Sequence, residues 1–84
     1  MISFNEEIAK SLEETGAFTA DAALKLISVP PDTTHGNFTI PCFSLAKTLR
    51  KAPKVIAEEL AAQVKLPAGL SKVEAVNGYL NFFI

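Results

Sequence analysis

Redox-active and metal-binding side chains are almost missing from this chain, which has one cysteine, one histidine and no tryptophan. Cys42 has no partner for an internal disulfide, so the fold must rest on packing, as a reducing compartment permits. With His35 as the only other soft ligand, no zinc cluster can be assembled. Long apolar runs are missing as well, since none approaches the roughly 18 residues that cross a bilayer. The opening MISFNEEIAK is acidic and polar where a signal peptide is basic and then apolar. The expectation is a cytoplasmic chain with no membrane partner. Nor is there a glycine-rich phosphate loop, a G-x-S-x-G elbow or an H-E-x-x-H pair. A Cys42–His35 couple lacks a third, orienting group, and Cys42 shares an apolar stripe with Leu45 and Ala46, where cysteine is ordinary core. Neither a catalytic nor a metal site is expected.

What is present suits one small globular unit. The 84 residues are 49% hydrophobic and 20% charged, enough for one modest core and too apolar for a disordered tail. No repeat, low-complexity tract or second hydrophobic unit marks a boundary within residues 1–84. The formal net charge of −1 lacks the basic excess of many nucleic-acid binders, and no DNA partner is expected. Its distribution is uneven, however. Residues 1–40 hold two basic and six acidic groups, whereas residues 41–84 hold six basic and three acidic ones. Lys47, Arg50, Lys51 and Lys54 fall in one stretch without an acid. They complement the end of a helix dipole and solvate a junction, or they offer a contact to an anionic backbone.

Local patterns set the elements. Ser3 and Glu6 have capping-box spacing, and Phe4, Ile8 and Leu12 recur on one face, which predicts a helix over residues 3–15. Residues 17–23 read as a connector. The segment LKLISV at 24–29 is short, apolar and partly β-branched and ends at Pro30-Pro31, which predicts a strand. The turn formers of 32–37 lead into a short returning strand at 38–40. Pro41 suits a first helical position, and Cys42, Leu45, Ala46 and Leu49 follow at helical spacing, predicting a helix over 41–51. Pro53 starts another, with Ile56, Ala57, Leu60, Ala61 and Val64 as its buried stripe.

Asn77-Gly78 between two strand-like runs, 71–76 and 79–84, is the strongest local signal. Both central residues of a type I′ turn need positive φ, which asparagine and glycine tolerate best. Counting outward pairs Val76 with Tyr79, Ala75 with Leu80, Glu74 with Asn81, Val73 with Phe82 and Lys72 with Phe83. Val73, Ala75, Leu80, Phe82 and Ile84 then form a core face, and Lys72, Glu74, Val76, Tyr79, Asn81 and Phe83 face solvent or a partner. The expected fold class is α+β: a two-layer sandwich of order α-β-β-α-α-β-β, with a small four-stranded antiparallel sheet and its helices on one face.

Tyr79 and Asn81 are two apart on a strand and point the same way. An exposed ring can stack on an unpaired nucleobase while a carboxamide donates to and accepts from its edge. The alternative is a protein-interaction or interdomain docking face, with Tyr79 and Phe83 covered by a neighbour and no RNA contact.

Read in order, VPPDTTHGNFTIPCFSLAKTLRKAPKVIAEELA followed by KVEAVNGYLNFFI resembles the N-terminal additional domain of arginyl-tRNA synthetases. The resemblance rests on Pro30-Pro31, His35-Gly36-Asn37, Leu45-Ala46-Lys47, Pro53 with Ile56-Ala57-Glu58, and Gly78-Tyr79-Leu80-Asn81-Phe82. Asn37 stands where the family often has aspartate, and Asn77-Gly78 replaces a longer Gly-Pro-Gly turn. The resemblance implies a domain that grips the outer corner of an arginine-accepting tRNA and reads an exposed D-loop base. It places stacking on Tyr79 and edge recognition on Asn81, and makes Lys47, Arg50, Lys51 and Lys54 plausible backbone contacts. The H-x-G-H and K-M-S-K-S signatures of class I synthetases are absent. ATP and magnesium are therefore expected of a parent ligase, and no cofactor of this segment. The apolar finish Phe82-Phe83-Ile84 suggests a domain within a longer enzyme, whose remaining domains are further expected partners.

Overall fold

The computed structural model describes residues 3–31, 34 and 36–84. Seven elements follow in order: α1 (Phe4–Glu14), α2 (Ala20–Leu26), β1 (Phe38–Pro41), α3 (Leu45–Leu49), α4 (Pro53–Gln63), β2 (Lys72–Val76) and β3 (Tyr79–Phe83). The class is α+β, with an antiparallel sheet of order β1-β3-β2. The strand expected at 24–29 is not formed: residues 24–26 are the end of α2 and Ser28 makes only a bridge, so among the described residues the sheet has three strands, not four. Thr19 explains the difference: its hydroxyl accepts from the Ala22 amide at 3.2 Å and caps a helix, while the Glu13 carboxylate accepts from the Ala20 amide at 3.0 Å. Ala23 and Ile27 turn inward at helical spacing. Only Ser28 reaches the sheet, through an isolated bridge to Thr39.

Ser3 caps α1 as expected, accepting from the Glu6 amide at 3.2 Å, and Ile8, Ala9 and Leu12 are buried along one face. Pro41 closes β1 opposite Tyr79 rather than opening a helix. A proline has no N–H to give to a ladder, and it fits a strand end as well as a first helical turn. The helix that follows is accordingly short and starts at Leu45, after a turn in which Leu45 and Ala46 donate to the carbonyls of Cys42 and Phe43. Pro53 opens α4, which buries Ile56, Ala57 and Leu60.

The hairpin forms with all five expected pairs, and Asn77 and Gly78 have φ of 51° and 86°. Leu80 and Phe82 are fully buried and Val73 and Ala75 partly so, forming one cluster with residues of α1, α2 and α4. Ile84 departs from the expected core set: it lies beyond the end of β3 and is exposed. Full burial of a Leu or Phe side chain is worth about 1.5–3 kcal/mol, so this inner face of β3 holds the helical layer in place.

Candidate nucleic-acid interface

On the other side of the sheet, Tyr79 and Asn81 line a single recess of about 340 Å³. Thr39 and Asn81, paired across β1 and β3, are both among its lining residues. Val29, Pro30 and Pro31 line it together with Val76, Asn77 and Tyr79. Ligand pockets run from about 300 to 1,000 Å³, and this one lies at the small end of that range.

The two residues singled out from the sequence differ in environment. Tyr79 is 40% exposed. Its ring meets that of Phe43 edge to face, with centroids 5.1 Å apart and planes at 81°, an arrangement the aromatic quadrupole favours. The phenol is thus braced by a neighbour and still partly exposed. Asn81 is only 4% exposed, far more enclosed than its place on the outer face suggests. The enclosure comes from the turn before β1: the Asn37 amide donates to the Phe82 carbonyl at 2.8 Å, and a Cβ on Gly36 would lie 2.8 Å from the Phe82 carbonyl oxygen and 3.3 Å from the Asn81 Cβ. With φ of +94°, only glycine fits there without strain.

A buried carboxamide must find partners. The Thr39 hydroxyl donates to Oδ1 of Asn81 at 2.6 Å. No described side-chain nitrogen or oxygen is buried without a hydrogen bond, and among the described residues Nδ2 of Asn81 has no acceptor. That nitrogen therefore opens into the recess. Asn37 uses its neutral side-chain oxygen to accept from the Ile84 amide at 3.0 Å. It ties the end of β3 to the turn without needing a charge.

The basic residues lie elsewhere. Lys47 is on α3, Arg50 is its left-handed C-cap with φ of 54°, and Lys54 is in the first turn of α4. Lys51 pairs with Glu59 at 2.8 Å, and among the described residues Lys47, Arg50 and Lys54 form no ion pair. None of the four lines the recess. Cys42 is wholly buried, and burial raises its thiol from 9.0 to about 11. It stays protonated near neutral pH and is a core residue. His35 lies outside the described residues.

Thr39, Val29 and Phe43 were not singled out from the sequence. For Thr39 a signal exists: alternation through Phe38-Thr39-Ile40 sends it to the face opposite two apolar neighbours. For Val29 and Phe43, whose places depend on contacts distant in the chain, none does.

Together these features define a small α+β domain with a recess on the outer face of its sheet. The family model of the arginyl tRNA synthetase N terminal domain matches residues 3–84. An arginine–tRNA ligase of Alkaliphilus metalliredigens is 56% identical over 61 residues, covering 73% of this chain and 11% of that protein. One from Clostridium botulinum is 41% identical over 83 residues, covering 99% and 15% respectively. Among solved structures, Thermus thermophilus arginyl-tRNA synthetase superposes with a TM-score of 0.71 at 35% identity, over 95% of this chain and 13% of that one. The chain belongs to the family of arginyl-tRNA synthetase N-terminal domains. It spans 11–15% of the length of these curated relatives.

Proposed function

We propose that residues 1–84 form the single N-terminal tRNA-binding domain of an arginine–tRNA ligase. It has no reaction centre of its own; it contacts the D-loop at the outer corner of arginine tRNA and helps position that tRNA for aminoacylation. Activation of arginine with ATP and magnesium belongs to the catalytic domain of the parent, in the cytoplasm. The observation that carries the reading is the shared recess: an exposed phenol and an enclosed carboxamide border one space. Tyr79 stacks on the unpaired base, and Asn81 meets its edge. Lys51 is already engaged by Glu59, so contact with the tRNA backbone falls mainly to Lys47, Arg50 and Lys54.

The test is Tyr79→Ala in the ligase that carries this domain. Stacking on one base is worth roughly 1–3 kcal/mol, so kcat/KM for tRNA is expected to fall by at least about fivefold, while ATP- and arginine-dependent steps measured without tRNA stay unchanged. Unaltered tRNA kinetics would remove the base-reading role. They would favour a docking face instead.

A further inference from the structure

We propose that Thr39 is a positioning residue that fixes which end of the Asn81 carboxamide faces the RNA, so that the recess selects a base edge presenting a hydrogen-bond acceptor. This rests on the base-reading role proposed above. A free asparagine side chain offers an acceptor and a donor equally, and a half-turn about its last bond exchanges them. Such a side chain discriminates poorly. Here the exchange is opposed by distance: the Thr39 hydroxyl donates to Oδ1 at 2.6 Å, a separation usual for O–H···O and shorter than N–H···O bonds run, so the turned carboxamide would crowd Nδ2 against that oxygen. Nδ2, which only donates, is left toward the recess.

Thr39 is itself held. Its amide donates to the Ser28 carbonyl at 2.8 Å and its carbonyl accepts from the Ser28 amide at 2.9 Å, while β1 pairs it directly opposite Asn81. Threonine is also stiff about its first side-chain bond. A ring nitrogen or carbonyl oxygen brought to Nδ2 is bound; an exocyclic amine or ring N–H meets another donor and is turned away. The isolated Ser28–Thr39 bridge thereby gains a purpose beyond sheet extension.

The experiment uses the ligase carrying this domain and tRNA transcripts in which each unpaired D-loop nucleotide is replaced in turn by the other three. The readout is the ratio of kcat/KM between the preferred and the disfavoured base at the position where Tyr79→Ala has its effect. Taking the ratio within one variant cancels any loss of folded protein. Thr39→Val keeps the shape and removes the hydroxyl, with Thr39→Ala as a second hydroxyl-free variant, and both are expected to lower the ratio about fivefold, the worth of one neutral hydrogen bond. Thr39→Ser, which restores the hydroxyl, is expected to recover it. A ratio unchanged in Thr39→Val and Thr39→Ala overturns the role of Thr39 while leaving base reading intact. A wild-type enzyme indifferent to every D-loop replacement overturns both.

Discussion

The two faces of β3 are made from five consecutive residues, yet they are under opposite constraints. Leu80 and Phe82 point inward and are fully enclosed by the helical layer. Tyr79 and Asn81 point outward into a recess, one braced by a second aromatic ring and the other by a hydroxyl. On the inner face the contacts are apolar and non-directional, and volume is what counts. On the outer face they are few and directional, and each depends on one particular pair of groups. A strand with alternating side chains lets both demands be met at once, because neither face shares an atom of side chain with the other.

Substitutions can break or sharpen that separation. The largest stability effect is expected inside: Phe82→Ala removes a fully buried ring and should cost about 3–5 kcal/mol, read as a loss of cooperative unfolding in denaturant. Next comes Gly36→Ala, which tests where the two faces meet. The added methyl would lie 2.8 Å from the Phe82 carbonyl oxygen in a backbone of positive φ, and a cost of about 1–3 kcal/mol is expected. Because Gly36 also backs Asn81, this variant should weaken tRNA binding and stability together, whereas Tyr79→Ala should separate them. Binding loss without any shift of the unfolding midpoint in Gly36→Ala would contradict that linkage. The smallest effect belongs to neither face: Lys51→Gln breaks an exposed pair with Glu59 and should change stability by about 0.5 kcal/mol or less, measured by the same denaturant midpoint.

The legible part of this fold was the part controlled by local chemistry. Asn77-Gly78 admits one kind of hairpin, and its register placed Tyr79 and Asn81 on one face without knowledge of the rest of the chain. Ser3 and Pro53 likewise announced their helices. LKLISV is not legible in this way, being an apolar run whose few residues fit strand and helix equally. Thr19, five residues upstream, held the deciding signal as a helix cap. Pro41 was ambiguous because a strand end and a helix start both tolerate a missing N–H. In the recess, the burial of Asn81 was beyond sequence reasoning, since it depends on Gly36 approaching a strand 45 positions later. The hydroxyl on its oxygen depends on a pairing between β1 and β3 that no turn announces.

The apex of the hairpin gives the outer face one more property. Gly78 is so close to its surroundings that a Cβ would come within 3.0 Å of both the Phe43 ring and the Pro53 side chain, and the same Phe43 ring abuts Tyr79. Pro53 is the leading residue of α4. The phenol is thus linked through one ring to the seat of a helix, so any larger side chain at position 78 would act as a shim pressed against the ring that braces it.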